Sequence, residues 1–456
     1  MGEVMSSRHL AVMKRAGGNS GWLAASAGFS AIASLIYVAL VARTLGPKAF
    51  GSFVLVMTYG ELMTDLVQFQ SWKAVTSFGA SHHEAKDKAT LRRLFGFTTT
   101  IDWASALLGA AAAVMIVPYI GLLLHWSAHE RSEAALFSAA LVLTLSTTPA
   151  GILRIFDRFD LQVFSETLVQ VVRFAGCLAG WIIGANVGWF LCVWAFASLA
   201  LQLLQWAAVL ALGYRPSFGL DALKRAAREN PGLWSFMVKT NISSSLSLFW
   251  MQSATLVVGA GAGTVQAGGF RLAYRFSQAM MKPVEIATKA LFPELARLVA
   301  EEDHATMRGV VLRVAAISAV FALLIVAGAG LFGADVLRLV AGPGYEFAYG
   351  FLFLLSIASA LNVVGFVLEP FHNAHLRVGT VLRSYAVATL IYLLLVIGLF
   401  PIFGPDGVAA ASIVAALAIN TQLAASALRI LTRERPEFEH EVEELQVEVL
   451  ASLQTE

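Results

Sequence analysis

Apolar runs of twenty or so residues recur along the whole chain, each closed by a short polar segment. A run of that length crosses the hydrocarbon of a bilayer as one α-helix. The runs fall near 20–44, 52–79, 94–118, 134–156, 161–184, 187–212, 233–259, 264–292, 309–332, 347–371, 380–403 and 407–430. Composition agrees, because 58% of the 456 residues are hydrophobic and only 14% are charged. A soluble domain carries about 25% charged residues. So few polar residues could not cover a water-facing surface, whereas lipid meets apolar side chains directly. The expected fold is an all-α polytopic membrane protein of about twelve helices.

The apolar stretch from Trp22 to Leu45 is too long for the core of a signal peptide. Ala24, Ala25, Ser26 and Ala27 mimic a cleavage site but are read as part of a retained first span, because a later segment repeats this one. Cys177 and Cys192, the two cysteines, lie inside apolar runs and read as small packing residues.

Lys and Arg in short loops set orientation. They gather in alternate segments. Arg8, Lys14 and Arg15 lie in the N-terminal arm; Lys86, Lys88, Arg92 and Arg93 in the second loop; Arg154 and Arg158 in the fourth; and Arg215, Lys224, Arg225 and Arg228 in the sixth. The eighth holds Arg297 and Arg308, the tenth Arg377, and the tail Arg433 and Arg435. The odd loops hold Arg43, Lys48, Arg131 and Arg338 and little else. Both termini are therefore expected in the cytoplasm of a bacterium, with the spans in its inner membrane. A net charge of +2 leaves no nucleic-acid footprint.

Five segments follow. A cytoplasmic arm covers 1–19, a six-helix lobe 20–213, an amphipathic linker 214–232, a second six-helix lobe 233–431, and an acidic cytoplasmic tail 432–456. In the linker, Leu220 and Leu223 share one face before Asn230, Pro231 and Gly232 break the helix. In the tail, Phe438, Val442, Leu445, Val449 and Leu453 recur at helical spacing. The tail is expected to pack on its own protein rather than dock a partner enzyme.

The two lobes read as a repeat. Gly46, Gly51 and Phe53 match Gly263, Gly268 and Phe270 at an offset of 268 − 51 = 217. The same offset carries Ser26 onto Ser243 and Ser30 onto Ser247. A half with an even number of spans begins and ends on one side, so the halves run parallel, as in transporters built from two lobes around a central cavity.

Ionisable groups inside spans are costly and by default functional. The eighth span carries Arg271, Arg275, Gln278, Lys282, Glu285 and Lys289. At about 100° per residue these form a single stripe. The offset places Lys282 on Asp65, Gln278 on Glu61 and Glu285 on Gln68, so the second span has an equivalent stripe of opposite sign. Lys239 sits among Asn241, Ser243, Ser244 and Ser245 in the seventh span. The reading is a cavity with a cationic patch of Arg271, Arg275, Lys282 and Lys239, suited to an anionic headgroup such as pyrophosphate. Glu61 and Asp65 are the candidates for ion coupling or gating. Glu166, Gln170 and Arg173 share a face of the fifth span, where Glu166 and Arg173 either take part in gating or neutralise each other. Lys289, Glu294 and Arg297 read as a solvated span end. Asp102, near the start of the third span, is expected at a helix end rather than in a proton relay.

No Walker loop, metal-site spacing or Gly-x-Ser-x-Gly elbow is present in the sequence. The expected protein is not an enzyme, holds no metal or cofactor, and draws on a proton or sodium gradient, the membrane potential or its substrate's own gradient.

Residues 41–53, from Val41 through Arg43, Gly46 and Gly51 to Phe53, resemble the opening block of the polysaccharide transporter family. That family includes flippases for undecaprenyl-pyrophosphate-linked O-antigen, capsule and exopolysaccharide units. Its superfamily also holds multidrug extruders and the lipid II flippase. The resemblance implies two lobes, a central cavity and transfer of a lipid-linked oligosaccharide to the periplasmic leaflet. It places the cationic cavity on Arg271, Arg275, Lys239 and Arg43, by span and face. Membrane lipids, and a polysaccharide polymerase or other assembly machinery, are the implied partners. Two further C-terminal spans usual in lipid II flippases are not seen. The acidic residue that multidrug extruders tend to carry in the first or seventh span is missing too, with Lys239 in the seventh. The rival reading is a cation-coupled multidrug or metabolite extruder using Glu61 and Asp65. A membrane-embedded glycan polymerase or ligase is a third, disfavoured by the short odd loops.

Overall fold

In the computed structural model the described backbone covers residues 2–301, 303–375 and 377–433. Side chains are described from residue 33 onward, except at scattered positions, most of them within 243–305. The tail expected to pack as a helix lies outside the described residues from 434 on, as do the side chains of Glu285, Lys289 and Glu294.

Every described element is helical. In chain order they are α1 Gly2–Val67, α2 Ser71–Glu84, α3 Lys88–Leu123, α4 Ala128–Leu143, α5 Thr148–Ile155, α6 Phe159–Ile183, α7 Val187–Ala211, α8 Leu220–Glu229, α9 Leu233–Ala262, α10 Thr264–Ala300, α11 His304–Ala341, α12 Tyr349–Gly365, α13 Leu368–Ala374, α14 Val378–Phe403 and α15 Pro405–Arg433. Each expected span lies on helix. Among the described residues, nine helical stretches are long and apolar enough to cross a membrane. The expected first two spans share one of these, Ala33–Glu84, and α9 and α10 are not among the nine. Arg271, Arg275 and Lys282 lower the hydropathy of α10. Large apolar side chains stand exposed along the long helices, such as Leu108 at 74% and Ile397 at 73%. Such a surface suits lipid rather than water.

Contacts group the chain into two compact units. One holds residues 1–272 and 337–347, the other 273–336 and 348–456. Each has its own core at the corresponding place. In the first, Val75 of α2, Leu91 and Phe95 of α3, Ile152 and Leu153 of α5 and Val209 of α7 pack together. In the second, Leu295 and Leu298 of α10, Met307 and Val311 of α11, Phe371 of α13 and Ile430 of α15 do the same.

The repeat is visible in the helix boundaries. Adding 217 to the first residues of α3, α5, α6 and α7 (88, 148, 159 and 187) gives 305, 365, 376 and 404. The helices α11, α13, α14 and α15 begin at 304, 368, 378 and 405. The equivalent glycines share a backbone conformation: Gly46 has φ 68° and ψ 172°, and Gly263 has φ 88° and ψ 175°. Only glycine enters that region without strain. Within the first unit, the segments after these bends cross at Gly51 and Gly268. A Cβ on Gly268 would lie 3.0 Å from the Gly51 Cα, and one on Gly51 would collide with the Thr264 carbonyl. Glycines here let two backbones touch.

Three expected spans are broken rather than continuous. The second stops at Val67 and resumes at Ser71, the fourth is split between α4 and α5, and the tenth between α12 and α13. Asp102 explains the first two breaks, and corrects its expected place at a helix end. It lies inside α3, 3% exposed. Its carboxylate accepts from Ser71 Oγ at the start of α2 and from Ser146 Oγ at 2.9 Å. It also accepts from the backbone N–H groups of Thr147 and Thr148 at 3.0 and 3.1 Å, and from Thr148 Oγ1 at 2.8 Å, at the start of α5. This buried carboxyl closes backbone donors freed at the start of α5 and fastens the start of α2 through the Ser71 hydroxyl. The repeat-equivalent residue is Ala319, and α10 runs unbroken through the stretch matching 68–70. An amide side chain serves the second of these breaks, where Gln202 donates to the Ser146 carbonyl at 2.7 Å.

Replacing Asp102 with Ala removes the shared acceptor and strands several buried donors. Each lost bond to a charged group contributes about 1.5–3 kcal/mol. The purified Asp102→Ala protein is expected to melt well below wild type in detergent, with Asp102→Asn between them. Equal melting of Ala and wild type would refute the role of this carboxylate.

Candidate functional site

After the bend at Gly46, residues 47–67 of α1 run beside α9 within the first unit. Glu61 and Asp65 lie one turn apart on this segment, so both carboxylates share a face. Gln252 comes from α9. The start of α10, following the second glycine bend, brings Arg271 to the same place. The Arg271 side chain is 4% exposed and its Nη2 donates to Glu61 Oε2 at 2.6 Å. Its Nη1 donates to Gln252 Oε1 at 3.1 Å. The Gln252 Nε2 then donates to Asp65 Oδ2 at 3.4 Å. Gln252 thus turns its carbonyl to the cation and its amide N–H to the second carboxylate. The reverse orientation would place like poles together at both contacts.

The sequence stripes of opposite sign are therefore joined at one point. A buried guanidinium is tolerable only when paired and hydrogen-bonded. Glu61, 24% exposed, supplies the charge, and the exposure leaves it reachable. The arrangement can exchange partners: an anion entering beside Arg271 competes with Glu61, and a proton or cation on Glu61 or Asp65 weakens their hold on the cation.

Other expected residues fall elsewhere. Arg275 follows one turn along α10 in the second unit, half-buried, with no ion pair or hydrogen bond to a described residue. Lys282 is half-buried in the same unit, and Lys239 is exposed on α9. The structure does not leave Arg43 as a bare cation. Its guanidinium donates to the carbonyls of Leu339 and Val340, the second at 2.8 Å, and Tyr345 Oη donates to the Ala42 carbonyl beside it at 3.0 Å. Arg43 thus closes carbonyls at the end of α11. Glu166 and Arg173 are not brought together by the bonds they make. Glu166 accepts from Gln162 at 2.9 Å, and Gln162 accepts from Arg154 at 3.0 Å. The guanidinium of Arg154 also lies 4.2 Å from the Trp72 ring centroid. Arg173 instead faces the ring of Trp194 at 5.5 Å. The polar face of α9 has a structural use as well, since Asn241 donates to the Gln68 carbonyl at 2.8 Å across the break after α1.

Sequence reasoning missed Gln252. The offset places it on Leu35, so the repeat gives no hint. An amide in an apolar run was its one signal.

Broken helices, lipid-facing apolar surfaces and a buried charge network define the class: a polytopic α-helical transporter fold. The architecture matches solved transporters of one superfamily. An inward-facing multidrug resistance MATE family transporter of the MOP superfamily aligns with TM-score 0.68 at 15% identity, over 89% of this chain and 96% of that one. The lipid II flippase MurJ, in an inward closed conformation, aligns with TM-score 0.60 at 14% identity, over 90% and 88%. The sequence model for polysaccharide biosynthesis proteins matches residues 16–299, and the chain belongs to that family. It is also 27% identical over 335 residues to the inner membrane protein YghQ of Escherichia coli K12, covering 73% of this chain and 94% of that protein.

Removing Glu61 leaves Arg271 buried without its ion-pair partner. Breaking a buried pair on one side costs roughly 3–5 kcal/mol, whereas replacing both members with apolar residues is often neutral. Glu61→Ala is expected to lower the melting temperature in detergent, and Glu61→Met with Arg271→Met to restore most of it. A single variant as stable as wild type would contradict this.

Proposed function

We propose that the protein is a flippase that carries a polyprenyl-pyrophosphate-linked oligosaccharide from the cytoplasmic to the periplasmic leaflet of a bacterial inner membrane, and that it is not an enzyme. Alternating movement of the two lobes, 20–213 and 233–431, exposes the binding groups to each side in turn. Both termini face the cytoplasm in this reading, and the delivered glycan passes to a polymerase or other assembly machinery. The observation that carries the reading is the run of cations Arg271, Arg275 and Lys282 along α10 of a polysaccharide-family chain. Arg271 is met by Glu61, but Arg275, one turn on, has no partner among the described residues. A charge inside a span is expensive until an anion joins it. Pyrophosphate oxygens fit the forked donors of Arg.

Binding and gating follow from one exchange. A headgroup phosphate takes the place of Glu61 on Arg271, and the freed Glu61 with Asp65 becomes a place for a proton or sodium ion. Each ligand shifts the conformational balance by its differential affinity for the two states. The second reading, a cation-coupled extruder, is favoured by one feature: Glu61 and Asp65 stand one turn apart inside the membrane.

Arg275→Gln and Lys282→Gln, each at wild-type protein level, are expected to lower surface polysaccharide about tenfold, the effect of losing ~1.4 kcal/mol of binding. Full export from both, together with new sensitivity of the deletion strain to cationic dyes, would favour the extruder.

A further inference from the structure

A cavity of about 650 Å³ lies far from the Arg271 network in sequence, between the start of α3 and the start of α8. Arg92, Arg93 and Arg225 line it, with Ser217, Gly219 and Asp221. We propose that this cavity holds the headgroup of an anionic phosphodiester phospholipid, of the phosphatidylglycerol type, at the membrane surface.

The cavity is built rather than incidental. The linker before α8 is fastened along α3: the Ser217 N–H donates to the Arg92 carbonyl at 2.8 Å, and Arg92 Nε donates to the Arg215 carbonyl at 3.0 Å. A Cβ on Gly96 would collide with the Ser217 carbonyl, so glycine there admits the linker backbone. The far end of α8 is tied by Arg93, which donates to both carboxylate oxygens of Glu229 at 2.7 and 2.8 Å. Ala226 of α8 is fully buried against Leu94, Phe97, Leu233 and Met237. The Thr90 backbone N–H bonds Asp87, which caps α3 and is held below the usual carboxylate range chiefly by that bond.

The charge balance selects the ligand. Arg93 is neutralised by Glu229. Arg92 and Arg225 remain against Asp221, and neither guanidinium forms an ion pair with a described residue. The lining thus has a surplus of one positive charge. A phosphodiester carries one negative charge, and a pyrophosphate carries more. Residues 219–222 at the start of α8 also line this cavity, and no side chain caps the N–H groups of that helix end.

An apolar wall continues from the cavity toward the middle of α3. Phe218 stacks on Trp103 with ring centroids 5.6 Å apart and an interplanar angle of 16°. Trp103 lies about 10 Å beyond Gly96 along the helix, at 1.5 Å per residue. Trp103, Phe218 and Leu220 are 50%, 52% and 76% exposed. Aromatic rings beside cations, with acyl-chain contact on one side and a phosphate on the other, are the signature of a lipid interface.

The test is native mass spectrometry of the delipidated full chain titrated with phosphatidylglycerol and phosphatidylcholine. The wild type is expected to retain phosphatidylglycerol about tenfold better. Arg92→Gln with Arg225→Gln should abolish the preference, and Lys224→Gln with Arg228→Gln, an equal charge change outside the lining, should keep it. An unchanged preference in the first variant, or an equal loss in both, would overturn the site. Displacement of the lipid by millimolar inorganic phosphate would overturn the lipid as its occupant.

Discussion

Hydrocarbon offers no water to a broken backbone, so each interrupted helix must find protein partners for the N–H and C=O groups it frees. The structure depends on how it meets that demand. In the first unit one carboxylate, Asp102, accepts from the starts of both α2 and α5, and so holds two breaks at once. Asn241 and Gln202 supply the amide donors for the carbonyls of Gln68 and Ser146. Glycine meets the other part of the demand. At Gly46 and Gly263 the chain turns through a region closed to other residues, and each bend starts a new helix without a long loop.

Those bends also create the charge network. They aim residues 47–67 and the start of α10 at each other closely enough for Gly51 and Gly268 to touch. About one to four turns further on, the same helices carry Glu61, Asp65 and Arg271. Close backbone approach brings long polar side chains into reach, and the apolar surroundings make their pairing obligatory. Under the proposed function, competition by an anion or a proton for this network would supply the two-state element that alternating access requires.

Much of this was legible in the sequence. Apolar runs, glycine pairs and the offset of 217 forecast the helices, the repeat and the polar stripes, because hydrophobic period and glycine position are local properties. The pairing of Arg271 with Glu61 was not legible. Their 210-residue separation gives no local signal, and the stripes read as opposing walls rather than a joined pair. The contacts of Arg43 with helix-end carbonyls and of Arg173 with the Trp194 ring were not legible either, because each partner lies far away in the sequence or on another helix. Asp102 likewise read as a helix-end residue, since the donors it accepts lie 31 to 46 residues away.

The central claim is that the cationic spans serve a lipid-linked glycan. It is tested most directly by depleting the protein and determining the amount and sidedness of lipid-linked oligosaccharide in inverted and right-side-out membrane vesicles by mass spectrometry after glycosidase treatment. The account predicts a growing pool of polyprenyl-pyrophosphate glycan, cleaved only where the cytoplasmic face is exposed. A pool unchanged in size and distribution between the faces would contradict it.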